Sequence, residues 1–108
     1  MVGEIKVIFT PKVIGLLDDL VQILYKKEYF GFVETAEEYV SKIYDAVPRH
    51  IRLSTSRITP KKLSNLGSNY VFYKSNARTT WFIFFEKKEN NYLITGIINN
   101  HCIEAKEL

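Results

Sequence analysis

Two places in this 108-residue chain hold side chains suited to chemistry. The first is Asn99-Asn100-His101, at the end of the last apolar run. An unperturbed histidine titrates near about 6.5 and can give or accept a proton at neutral pH, and two neighbouring amides could orient it or a ligand. The second is the span from Pro48 to Phe85, which carries seven basic residues (Arg49, Arg52, Arg57, Lys61, Lys62, Lys74, Arg78) and no carboxylate. Positive charge concentrated in this way favours an anionic partner, nucleic acid first. Arg78, in a turn, has the fork geometry for a phosphate, and Thr80 and Lys74 flank it on the adjoining strands. Each residue also has a plainer reading: a strand-end histidine bonded to backbone or water, and a solvated basic loop.

The rest of the charge runs the other way. Met1 to Val47 carries 5 basic and 8 acidic residues, and the last 23 residues carry 3 and 4, so a formal net charge of +3 hides a basic middle. Asp18 and Asp19 read as a solvated helix face. Two histidines and one cysteine do not make a metal-ligand set, and no metal or other cofactor is expected. Cys102 reads as an incidental thiol that rules out an intrachain disulfide, which fits a reducing compartment and a soluble cytoplasmic protein. The N-terminus lacks a signal-peptide pattern, and no stretch approaches the ~20 apolar residues of a membrane span.

The elements that must position these residues are legible in the pattern of apolar side chains. Residues 69 to 101 are the densest run of aromatic and β-branched residues. They read as a three-stranded antiparallel meander near 69–75, 79–88 and 92–100, with reversals at Asn76-Ala77-Arg78 and around Glu89-Asn90-Asn91. Alternation puts Trp81, Ile83 and Phe85 on one face and Thr80, Phe82 and Phe84 on the other. An even second turn would place Leu93, Thr95, Ile97, Asn99 and His101 with Thr80, and Ile94 and Ile98 with Trp81; an odd turn would reverse this. Phe82, Phe84 and Tyr73 could stack bases, or the first two could be covered by the linker or by a partner.

Upstream, EIKVIF (4–9) reads as a strand, and Thr10-Pro11 as the cap and first residue of a helix running to about Lys27 on Val13, Leu17, Leu20 and Leu24. After a break at Glu28 to Gly31, a second helix carries Ala36, Tyr39, Val40, Ile43 and Val47. Thr35 and Glu38 could form a capping box, and Pro48 signals the end. Residues 48–68 form a basic linker in which Thr59-Pro60 could open one helical turn closed by Gly67. The expected fold is a single α+β domain over residues 1–108. Its N-terminal strand and antiparallel helical hairpin pack as two layers on the C-terminal three-stranded antiparallel meander. A polar tail follows.

Four motifs in order, Thr10 to Val13 (TPKV), Glu28 to Phe32 (EYFGF), Thr79 to Phe85 (TTWFIFF) and Asn99 to His101 (NNH), give the chain a further likeness. Over essentially its whole length it resembles the RelE/ParE superfamily, bacterial toxins of type II toxin-antitoxin and plasmid-stabilisation modules. The resemblance implies a cognate antitoxin as partner. It also implies one of two targets: the ribosome and its mRNA, cut by a metal-independent endoribonuclease, or DNA gyrase, inhibited without chemistry. A chain that has lost activity and only binds its antitoxin is a third outcome.

In RelE-like chemistry the ribose 2′-OH attacks the adjacent phosphate, with a proton acceptor, a proton donor to the leaving 5′-oxygen and cations for the developing charge. The resemblance makes His101 the acid and puts Arg78 on the scissile phosphate, since Thr80 stands where relatives commonly carry arginine. Lys74 stands near the first-strand lysines of some members, and the glutamate base that others carry in the linker has no counterpart here. Asn99, Thr80, Lys61, Lys62, Arg49, Arg52 and Arg57 are the remaining candidates for RNA contact.

Overall fold

A computed structural model describes residues 5–26, 33–53, 56–75 and 79–108. The chain begins with β1 (Lys6–Phe9), α1 (Pro11–Lys26) and α2 (Val33–Leu53). It continues through β2 (Arg57–Ile58), a 3-10 helix at Lys61–Leu66, and β3 (Asn69–Lys74), β4 (Thr80–Lys88) and β5 (Asn91–Asn99), ending in a second 3-10 helix at Ile103–Glu107. The five strands form one sheet in the order β1-β5-β4-β3-β2. β1 runs parallel to β5, and the other neighbours are antiparallel. The expected meander is therefore present, with the N-terminal strand on its β5 edge. The expected linker also contributes a short fifth strand on the other edge, and the tail folds into a helical turn.

Thr10 shows how the first helix starts. Its Oγ1 accepts the N–H of Val13 at 3.4 Å and donates to the carbonyl of Ile94 at 2.8 Å, so one hydroxyl caps α1 and ties it to β5. Val13 and Leu17 of α1, with Val40, Ile43 and Val47 of α2, bury the expected stripes against Val71, Trp81, Ile83, Phe85, Ile94 and Ile97 of the sheet. α2 does not end at Pro48 but runs to Leu53. The proline removes one helical hydrogen bond, yet Ile51, one turn beyond Val47, is buried in the same core, and that burial favours continuing the helix. α2 begins at Val33, so Thr35 lies inside its first turn rather than before it. The helix-hairpin break and the reversal at 76–78 lie outside the described residues.

The second reversal is the two-residue turn Glu89-Asn90, since Lys88 pairs with Asn91. The even count holds, but the faces that it implied are overturned beyond Ile94. Phe85 pairs with Ile94 and Phe84 with Gly96, so Thr95 is an extra residue in β5. A bulge shifts the alternation by one. Ile97 consequently lies opposite Ile83 in the main core, and Ile98 lies opposite Phe82 on the other face, the reverse of the pattern-based assignment. Asn99 falls opposite Trp81, not with Thr80.

The bulge docks the linker on the face away from the helices. Thr95 Oγ1 donates to the carbonyl of Leu66 at 2.5 Å. At Gly96 a Cβ would stand 2.9 Å from that same carbonyl oxygen, so the missing side chain lets the linker backbone approach. Gly67, at φ 155°, is packed so closely that a Cβ would meet Phe85 N at 2.8 Å. Leu63 and Leu66 thereby cover Tyr70 and Phe84, with Phe82, Ile98 and Leu108 at the margin.

Candidate nucleic-acid interface

The Asn99-Asn100-His101 segment is a built corner. The Asn100 side chain accepts the Thr80 N–H at 2.9 Å, and the Asn100 N–H donates to the Thr80 carbonyl at 3.0 Å, which extends the ladder past the end of β5. Asn99 Oδ1 accepts the His101 N–H at 2.9 Å and lies 3.6 Å from Cys102 Sγ, the side chain bonding to the backbone two residues on, as asparagine does in turns. His101 is exposed, and its Nε2 lies 3.4 Å from Thr79 Oγ1. The corner holds the backbone of His101 and leaves its ring at the surface. Among the described residues no carboxylate pairs with it.

A second polar set braces the neighbouring end of β3 and β4 from the helix side. Tyr39 on α2 lies 2.8 Å from Ser75 Oγ, and Ser75 Oγ lies 3.3 Å from the Thr79 carbonyl. His50 of α2 packs its ring on Tyr73, with centroids 5.3 Å apart. Tyr73 is therefore a helix-face residue and Phe84 is fully buried, so neither presents a stacking surface, while Phe82 is half-buried.

The sheet divides the basic residues. Arg49 and Arg52 are exposed on α2, which makes them helix-layer residues rather than linker residues. Arg57 lies opposite Tyr70, and Lys61 and Lys62 sit on the 3-10 helix over the other face. Lys74, directly opposite Thr80, shares that other face. Lys62 pairs with Glu107 at 3.9 Å, in an exposed geometry worth little. Arg57, Lys61, Lys62 and Lys74 thus share one face with Thr80; His101, expected with Thr80, instead meets Thr79 at the end of the sheet, two residues beyond the shifted Asn99, and Arg49 and Arg52 stand apart. Arg78 lies outside the described residues.

One residue absent from the sequence candidates belongs here. Phe72 projects from β3 on the linker face, 44 % exposed, with the Arg57 guanidinium 5.2 Å from its ring centroid. Its signal was available: with the reversal centred on Ala77, Phe72 falls opposite Phe82 and shares the face of Lys74.

Compared with known proteins, the chain matches no family model, no curated protein and no solved structure. What fold and site define is an α+β domain with helices on one sheet face, a basic second face and a histidine corner at one end. No helix among the described residues is long and apolar enough to cross a membrane.

Proposed function

We propose that the chain is the toxin of a bacterial type II toxin-antitoxin pair with a RelE/ParE-like domain. In this reading it is a cytoplasmic protein that inhibits translation by cutting mRNA on the ribosome and is held in check by a cognate antitoxin. The observation that carries this reading is the conjunction of the four sequence motifs with the corner at Thr79, Thr80, Asn100 and His101. The motif residues at the two strand ends are hydrogen-bonded into one exposed site next to a basic sheet face. His101 gives a proton to the leaving 5′-oxygen as the 2′-oxygen closes on phosphorus and releases its own proton to solvent water, yielding a 2′,3′-cyclic phosphate and a 5′-hydroxyl. Arg78 and Lys74 take the phosphate charge.

A second reading, a non-enzymatic inhibitor of DNA gyrase, needs no proton acceptor at this corner. Thr79 and Asn99 flank His101, and neither is a base able to take the 2′-hydroxyl proton at neutral pH. The test is a cell-free translation reaction charged with the purified protein, run beside a gyrase supercoiling assay. Arrest with new mRNA ends supports the nuclease. Running translation with blocked supercoiling supports the gyrase inhibitor, and no effect on either removes both.

A further inference from the structure

We propose that Arg57, Phe72 and Lys74 form a binding site for single-stranded polynucleotide, with an unpaired base stacked on the Arg57–Phe72 pair and its adjoining phosphate on Lys74. The inference deepens the reading above and rests on it for the bound strand being the RNA that is cut.

The linker covers only part of its face. Leu63 and Leu66 shield Tyr70 and Phe84, and that cover thins at Phe82, which is half-buried, leaving Phe72 as a large exposed aromatic on the sheet. A part-exposed ring flanked by two exposed cations does not suit an apolar partner, because docking one would desolvate Arg57 and Lys74. It does suit a base, whose π-face stacks on aromatic rings and on guanidinium planes alike. Arg57 already lies over the Phe72 ring, so its outer face continues the stack. Lys74 is two residues along the same strand face, about 6.5–7 Å from Phe72, within the span of one nucleotide.

The local field has the right sign. Among the described residues neither Arg57 nor Lys74 is in an ion pair. Of the described carboxylates on this face, Glu107 is paired with Lys62, and Glu86 of β4 is six residues from Thr80 toward the other end of the strand, about 20 Å away. Lys74 lies opposite Thr80, which is clipped to Asn100 beside His101. A strand bound at Phe72 and Lys74 therefore runs toward the end of the sheet at which His101 stands.

The test is fluorescence anisotropy with end-labelled eight-nucleotide RNA, DNA of the same sequence and a duplex RNA, at several salt concentrations and without ribosomes. Phe72→Leu keeps an apolar side chain beside Phe82 but loses the π-face. It should weaken single-strand binding about tenfold, Phe72→Trp should restore it, and circular dichroism should show both variants folded. Lys74→Gln should lower the salt slope by about 0.7, the value for one phosphate on a single strand. Equal loss for RNA and DNA supports a site reading base and phosphate alone, and a loss confined to RNA supports one that also reads the 2′-hydroxyl. Unchanged binding by Phe72→Leu, or duplex binding as tight as single-strand binding, overturns the proposal. The two readings separate cleanly. A protein that cuts mRNA on ribosomes without Phe72-dependent binding contradicts this site alone, and one that binds through Phe72 but leaves translation running contradicts the nuclease alone.

Discussion

The indole N–H of Trp81 donates to the hydroxyl of Tyr39 across 3.1 Å, joining the second turn of α2 to the start of β4. Indole is only a donor, so the Tyr39 oxygen is the acceptor and its own proton is left for Ser75 Oγ, which in turn reaches the Thr79 carbonyl. Direction thus runs from the core outward to the residue that touches His101.

Tyr39→Phe removes that acceptor and strands the Trp81 N–H, whose residue is only 6 % exposed. A loss of about 1–3 kcal/mol is expected. Denaturant unfolding read by fluorescence will show it directly, because Trp81 is the chain's one tryptophan.

The linker dock makes a sharper demand. Gly67→Ala places a Cβ 2.7 Å from Thr95 Oγ1 and 2.8 Å from Phe85 N, at a φ of 155° that side chains rarely adopt. Overpacking and backbone strain together should cost roughly 2–4 kcal/mol. Thr95→Ala, which removes the hydroxyl bonded to Leu66 without adding a group against that carbonyl, should cost about 1 kcal/mol. Thermal melts of the two variants should rank in that order.

Thr59 offers the opposite sign. Its Oγ1 is buried with no hydrogen-bond partner among the described residues, while its N–H is satisfied by the Ser68 carbonyl. Thr59→Val keeps the shape and removes the stranded hydroxyl, and should raise stability by about 1 kcal/mol.

Tyr44 gives a pH dependence. Burial raises its phenol above the ordinary value of 10.0, and the Asp18 carboxylate adds to the shift. The unfolded chain therefore loses this proton first as pH rises. The stabilising contribution is full below the ordinary value and is lost as pH climbs through the folded-state value. An ultraviolet phenol titration of the wild type less that of Tyr44→Phe should show the late-titrating group, and Asp18→Asn should bring it earlier.

Much of this fold was written in periodicity. The stripes at Val13-Leu17 and Val40-Ile43-Val47 and the alternation through Trp81-Ile83-Phe85 have one physical solution, a helical layer on one sheet face. What alternation does not encode is where it slips. Thr95 and Gly96 look like ordinary strand residues until Leu66 is laid against them, because the bulge answers to a contact made 29 residues away in sequence. The same slip moved Asn99 off the face assigned to it and gave it a turn-capping role. Pro48 misled for a related reason: the local cost is visible in the sequence, while the burial of Ile51 that opposes it is tertiary. In the proposed site, His101 is suggested by residue type, by the two neighbouring amides and by the resemblance, whereas the exposure of Phe72 depends on where the linker cover stops.

The most direct test of the proposed nuclease is the chemistry of mRNA ends in a translating extract, with wild-type protein and with His101→Ala. His101 is exposed and, among the described residues, its ring makes one long contact, to Thr79, so the variant should fold as the wild type does. The account predicts new 2′,3′-cyclic phosphate ends with the wild type and their loss, by roughly 10²-fold or more, with the variant. Cyclic ends formed equally by the variant would contradict the role of His101, and intact mRNA with the wild type would contradict the nuclease itself.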